Sequence, residues 1–185
     1  MIVAVAGSGR GDGNSARLLE RALEAARGSA AREVRYHRLS EAVFRGCVGC
    51  GACRAPDGPE GCALADDLTP ILADTATASA LLLAAPIYYG YPSGLFKAYL
   101  DRWYSFRGPG RKLRVPADRP ALLILTQGHT DPNAYPWTVQ SLEKVLAAYA
   151  LRPSLLIGAG LEEAGAVDLR RDLLDEASRR GAALV

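Results

Sequence analysis

Nine residues near the start constrain this chain more than any other stretch: Gly7-Ser8-Gly9-Arg10-Gly11-Asp12-Gly13-Asn14-Ser15. They follow an apolar run, Ile2–Ala6, and precede Leu18, Leu19, Ala22, Leu23 and Ala26, an apolar stripe with helical spacing. A buried strand that enters a helix through a glycine-rich turn aims unpaired backbone N–H groups and the positive end of the helix dipole at one point, where a phosphate can sit. The P-loop pattern is not met, because Asn14 precedes Ser15 and the segment holds no lysine. The dinucleotide fingerprint is met only from Gly11, with Ala16 in its last place, late in the turn. The donors that remain are Ser8, Arg10, Asn14 and Ser15. They suit a terminal phosphate monoester, to which Arg10 adds a charge-assisted contact. The plainer reading is a Gly/Ser turn in which Asn14 caps the helix and Arg10 is solvated.

The remainder of the chain reads as a parallel α/β domain. Ile2–Ala6, Ala80–Ala85, Ala121–Leu125 and Leu155–Ile157 are continuous apolar runs, as expected of strands buried on both faces. Glu33–Leu39 alternates instead, with Val34 and Tyr36 apolar and Arg35 and His37 between them, which marks an edge strand. A second strand at the edge favours the order 2-1-3-4-5 over 3-2-1-4-5. Helices are expected at about 14–27, 93–104, 138–149 and 168–181, and Asp66-Asp67 reads as the start of another. At 185 residues, 49% hydrophobic and 23% charged, the chain is expected to form one globular domain. A net charge of +2 with interspersed signs gives no electrostatic case for nucleic acid or a membrane surface. The apolar runs are too short to cross a bilayer. The first residues enter a strand directly, without a basic leader, which predicts a cytoplasmic protein. Residues 105–119 carry Arg107, Arg111, Lys112 and Arg114 among Gly and Pro breaks; they read as a solvated loop or as a contact for an anionic ligand or a subunit.

All four cysteines fall in one stretch with the spacing Cys47-x2-Cys50-x2-Cys53-x8-Cys62. In a cytoplasmic protein they are expected to stay reduced. Three cysteines at successive i+3 positions, interleaved with Gly46, Gly49 and Gly51, fit a [4Fe–4S] ligand run better than tetrahedral zinc, which usually pairs two C-x2-C units. Zinc and a redox-active thiol set are the alternatives.

Open α/β sheets bind ligands beyond the carboxyl ends of their strands. Two further loops lie there. One, Pro86-Ile87-Tyr88-Tyr89-Gly90, offers tyrosine rings and backbone N–H groups to a planar ligand. The other, Thr126-Gln127-Gly128-His129, offers hydrogen bonds to a heteroaromatic ring. His129 reads as a loop hydrogen-bonder. One phosphate and one large polar ring together suggest flavin mononucleotide (FMN), which carries the redox chemistry while the protein orients it.

The motifs taken together, Gly7-Ser8-x-Arg10-x-x-Gly13-Asn14-Ser15, the cysteine run with Asp66-Asp67, Pro86 to Gly90 leading into Phe96-Lys97-Ala98-Tyr99-Leu100-Asp101-Arg102, and Leu125-Thr126-Gln127-Gly128, resemble the flavodoxin-like NAD(P)H-dependent FMN reductases. More narrowly they resemble the iron–sulfur flavoproteins among them. The resemblance implies a flavodoxin-like three-layer sandwich over residues 1–185, with a five-stranded parallel sheet and a cysteine-rich insertion at about 44–66. It implies FMN held by Ser8, Arg10, Gly13, Asn14 and Ser15 at the phosphate, and by Pro86, Ile87, Tyr88, Tyr89, Gly90, Thr126, Gln127 and Gly128 at the ring. It also implies Cys47, Cys50, Cys53 and Cys62 as ligands of a [4Fe–4S] cluster, and a homodimer or homotetramer with the flavin near a subunit boundary. The expected activity passes electrons from NAD(P)H to a quinone, free flavin or other small acceptor. The alternative is an electron carrier that takes electrons from ferredoxin through the cluster; a third is a flavin-free interaction module on the same scaffold.

Overall fold

A computed structural model describes residues 1–29 and 33–184. The parallel sheet is built from β1 (Ile2–Ala6), β2 (Val34–Arg38), β3 (Ala80–Tyr88), β5 (Arg119–Thr126) and β6 (Leu151–Gly158), in the order β2-β1-β3-β5-β6. A two-residue strand, β4 (Tyr91–Pro92), turns back antiparallel on the end of β3. Without that ribbon the order is the expected 2-1-3-4-5; the ribbon makes the sheet six-stranded rather than five-stranded. Helices α1 (Asn14–Ser29), α2 (Leu68–Thr77), α3 (Gly94–Arg102), α4 (Pro136–Ala148) and α5 (Arg171–Ala182) cover it.

The alternation of side chains along each strand creates the three layers. Val3, Val5, Leu81, Leu83, Leu123 and Leu125 point to one face and pack with Ile71, Phe96, Tyr99, Leu142 and Leu146 from α2, α3 and α4. Ile2, Ala4, Leu82, Ala84, Leu122 and Ile124 point to the other and pack with Leu18, Leu19, Ala22, Leu173 and Ala177 from α1 and α5. Because both faces are covered, β1, β3 and β5 read as unbroken apolar runs. Helices α1 and α5 cross closely: a Cβ on Gly181 would lie 2.0 Å from the Ala22 carbonyl oxygen.

Several boundaries differ from the sequence expectation. The last strand begins at Leu151, not Leu155, and it is not buried on both faces: Arg152 is exposed and Pro153, Ser154, Leu155 and Ile157 are half-buried. It is the second edge of the sheet, so only one side has a neighbour, and its polar residues break the apolar run. The expected helix 168–181 splits into a 3-10 turn, Ala166–Leu169, and α5 from Arg171. Helix α3 ends at Arg102 and passes into the 3-10 turn Trp103–Phe106. Strand β3 runs on to Tyr88, because Tyr89 and Gly90 adopt positive φ (51° and 82°) and close a two-residue hairpin to Tyr91. Such turns usually carry Asn-Gly or Asp-Gly, so Tyr89-Gly90 gives little signal in the sequence.

Candidate functional site

The turn after β1 is held from several directions. The Gly7 amide donates to Ala84 O (2.7 Å), and the Gly7 carbonyl accepts from the Ser93 hydroxyl. The same Ser93 oxygen accepts from the Phe96 amide and caps α3. A Cβ on Gly7 would come within 2.6 Å of Phe96, so only glycine lets the turn approach α3 this closely. The first helical bond of α1 runs from Arg17 N to Gly13 O (3.1 Å), leaving the amides of Asn14, Ser15 and Ala16 without intrahelical partners.

A cavity of about 210 Å³ opens beyond the strand ends and is lined by the β1 turn, the end of β3 and the loops after β5 and β6. Ser8, Arg10, Gly13, Asn14, Ser15, Pro86, Ile87, Tyr88, Thr126, Gln127 and Gly128 all line it. Tyr89 and Gly90 do not: they form the hairpin turn, where the Tyr89 ring is fully exposed and Gly90 is buried against Tyr135 and Trp137. Ser8 is buried, its oxygen accepts from the Arg10 amide (3.0 Å), and a Cβ on Gly13 would lie 2.8 Å from it. Among the described residues the exposed Arg10 guanidinium has no hydrogen-bond or ion-pair partner. Gln127 is buried, and its Nε2 donates to Asp131 O (2.6 Å), which turns Oε1 the other way. That Oε1 is buried and has no hydrogen-bond partner. An acceptor buried without a donor is costly unless a ligand supplies one.

Asn14 has a different task from the one its type suggests. Its Nδ2 donates to Leu161 O (3.2 Å) and Glu163 O (2.8 Å), and its Oδ1 accepts from the Val167 amide (3.2 Å). The side chain ties the loop after β6 to the β1 turn. That loop adds Leu161 and Glu162 to the cavity lining, two residues absent from the sequence reading. Gly158-Ala159-Gly160 at the end of the last strand is the signal that could have found them. His129 accepts from the Asp131 amide at Nδ1 (3.0 Å), a loop hydrogen bond.

The four cysteines, all unpaired, line a second cavity of about 50 Å³ that shares no lining residue with the first. Cys53 is buried, Cys62 half-buried, and Cys47 and Cys50 exposed. Burial pushes the Cys53 thiol up, reinforced by Cys62 and Cys50 and opposed by Arg54. Among the described residues no three metal-ligating side chains gather tightly enough to hold a metal ion. The segment has little regular structure: one 3-10 turn, Ala52–Arg54, entered through Gly51 at φ 73°. It is held from outside. Arg102, fully buried, donates through Nη1 to both Asp66 oxygens (2.7 and 2.6 Å) and to Arg45 O, and through Nη2 to Leu64 O (2.8 Å). One guanidinium thus joins the two ends of the cysteine segment. Burial favours the neutral Asp66 carboxyl, but the Arg102 hydrogen bond and the Arg45 amide outweigh it and hold the group below the usual carboxylate range. Asp66 also accepts from the Leu68 amide, so it starts α2 as expected, with the Arg102 pair added. Arg114 donates to Pro59 O (2.9 Å), and Arg107 bonds Ala148 O and lies over the Tyr149 ring. In the basic connection these two arginines therefore brace the fold.

A doubly covered parallel sheet of this order, with an anion-ready turn after its first strand and a polar cavity over the strand ends, is a flavodoxin-like domain. The chain belongs to the NADPH-dependent FMN reductase family, whose model matches residues 1–160. It is 30% identical over 102 residues to an iron-sulfur flavoprotein of Methanocaldococcus jannaschii, a match covering 55% of this chain and 50% of that one. With the iron-sulfur flavoprotein of Archaeoglobus fulgidus it shares 25% identity over 172 residues, covering 91% of this chain and 74% of the relative. The chain therefore spans between half and three quarters of these relatives. Among solved structures, the NAD(P)H:quinone oxidoreductase from Methanothermobacter marburgensis superposes with a TM-score of 0.77 at 19% identity, covering 100% of this chain and 98% of that one. That likeness concerns the fold. No helix among the described residues is long and apolar enough to cross a membrane.

Proposed function

We propose that the chain is an FMN-dependent oxidoreductase that takes electrons from NAD(P)H and passes them to a quinone, free flavin or other small acceptor. The observation that carries this reading is the strand-end cavity, which combines a free guanidinium, unpartnered helix amides and an orphaned buried acceptor. These fit FMN: Arg10, the Ser8 and Ser15 hydroxyls and the amides of Asn14 and Ser15 are donors for a phosphate, and Gln127 Oε1 is an acceptor for a ring N–H. Bound FMN would supply hydride acceptance and electron transfer. The chain's own part is to fix the phosphate end, seat the ring between the loops after β3 and β5, and limit water there with Ile87 and Leu161. Tyr88, Tyr89, Tyr91 and Trp137 are exposed around the strand ends, where a second subunit of a dimer or tetramer would cover them.

The cysteine cavity favours a second redox centre in the same protein. Four reduced cysteines lining one cavity supply the donor set of a [4Fe–4S] cluster, and their successive i+3 spacing fits it better than zinc. The iron-sulfur flavoprotein relatives add support. With that cluster the alternative reading is a carrier that accepts electrons from ferredoxin. The test is an absorption spectrum of anaerobically prepared protein before and after NADPH. Flavin bands that bleach with NADPH are expected; a colourless protein that rejects added FMN would overturn the proposal, and bleaching by reduced ferredoxin alone would select the carrier.

A further inference from the structure

Two arginines line the cysteine cavity, and neither has all its donors engaged. Arg102 directs its Nη groups to Asp66, Arg45 O and Leu64 O, while its Nε is buried and has no partner. Arg54, one residue past Cys53, stacks its guanidinium 4.2 Å over the Tyr104 ring, and its Nε is likewise buried and has no partner. Arg54 has no carboxylate partner among the described residues. Both N–H groups sit where water is scarce, so leaving them unmet costs free energy. Besides the four sulfurs, the side-chain acceptors in the cavity lining are the Tyr104 and Ser105 hydroxyls, since its other linings are Val48, Ala63, Leu64 and glycines. A lone structural clamp would account for the Arg102 Nη bonds. It accounts for neither Nε group, nor for a second cation at the same cavity.

We infer that Arg54 and Arg102 are positioning residues that hold one unpaired positive charge, on Arg54, and two N–H donors against the four-thiolate site, so that it accepts an anionic cluster and stabilises the reduced form. This rests on the cluster reading given above. Four thiolates on an iron–sulfide core leave net negative charge, and one-electron reduction adds another. Fixed cations and N–H donors to sulfur favour the more negative state and raise the potential. Arg54 acts from the solvent side through the Tyr104 stack, and Arg102 from beneath through the Asp66 anchor.

The experiment compares wild type, Arg54→Gln, Arg54→Lys and Arg102→Gln, each reconstituted anaerobically with iron and sulfide. Iron and acid-labile sulfide are measured, and the cluster is titrated spectroscopically. Arg54→Gln should keep the cluster and shift its reduction equilibrium about tenfold toward the oxidised form, with Arg54→Lys recovering part of the shift. Arg102→Gln should lose most of the iron while still binding FMN, which shows that the domain remains folded. If wild type assembles a four-iron cluster and Arg54→Gln leaves both iron content and reduction equilibrium unchanged, this inference is overturned and the cluster reading stands. If wild type takes up no four-iron cluster, both fall together. Should Arg102→Gln fail to fold, Arg54→Gln decides alone.

Discussion

The two cavities are built on opposite plans. The strand-end cavity is supported by regular structure: β5 and β6 end level with each other, β1 ends two residues sooner and β3 runs two residues further, and short turns of local sequence line the cavity. The cysteine cavity has almost no regular backbone beneath it and depends on side chains that arrive from α3 and from the basic connection. A site on a sheet edge inherits its geometry from the fold. A site in a long irregular segment needs clamps, and a few of them carry most of the order.

Breaking the main clamp should therefore separate the two regions most sharply. Arg102→Met leaves the Asp66 carboxylate without its cation, and loss of one partner of a buried pair costs about 3–5 kcal/mol. Denaturant unfolding should show that loss, and amide exchange should place it in residues 44–66, with FMN affinity kept near wild type. A loss spread evenly over the sheet would erase the contrast. The converse experiment removes the phosphate donors. Arg10→Ala with Ser15→Ala should weaken FMN binding by about a hundredfold, on the scale of charge-assisted hydrogen bonds, while cysteine accessibility stays unchanged; unaltered FMN affinity would refute the phosphate assignment. Gly7→Ala should cost about 1–3 kcal/mol by overpacking against Phe96, with a fall in FMN affinity alongside.

Acid sharpens the comparison with a smaller effect. The folded Asp66 carboxyl lies below its unfolded value of about 3.9. Its contribution is therefore complete above that value and disappears as pH falls through the folded one. Amide exchange in 44–66 should accelerate below about pH 4 in wild type, and Asp66→Asn should remove this pH step. Last comes Arg114→Ala, which removes one exposed hydrogen bond to Pro59 O and should cost roughly 0.5–1 kcal/mol, read as slightly faster exchange in the same segment.

Most of the strand-end cavity was legible because its residues are contiguous and their types are demanding. Glycine at Gly7 and Gly13, hydroxyls at Ser8 and Ser15, and an unpaired cation at Arg10 form a pattern whose local geometry implies an anion. Asn14 shows the limit of such reasoning. Its side chain suits a phosphate or a helix cap, and the fold uses it to tie down a loop about 150 residues later in the chain. Tyr89 and Gly90 sit in the expected loop but do not line the cavity, and positive φ at both residues places them in a hairpin turn. Arg102 stood within a motif of the sequence, yet nothing nearby named its partners, because Asp66 lies 36 positions away.

Periodicity by itself determined the layers and the edge position of β2, and with the known topologies of open sheets the strand order, but the short apolar run Leu155–Ile157 did not report the half-covered last strand. The sequence also set the chemistry available at the first turn, where neighbouring residues share one short stretch of backbone. The tertiary structure alone decided which polar groups remain free. Asn14 is spent on a loop, Arg10 and Gln127 Oε1 are not, and Arg102 closes the cysteine segment. Hydrogen-bond partners across long separations are chosen by packing in three dimensions, and local sequence carries no record of that choice.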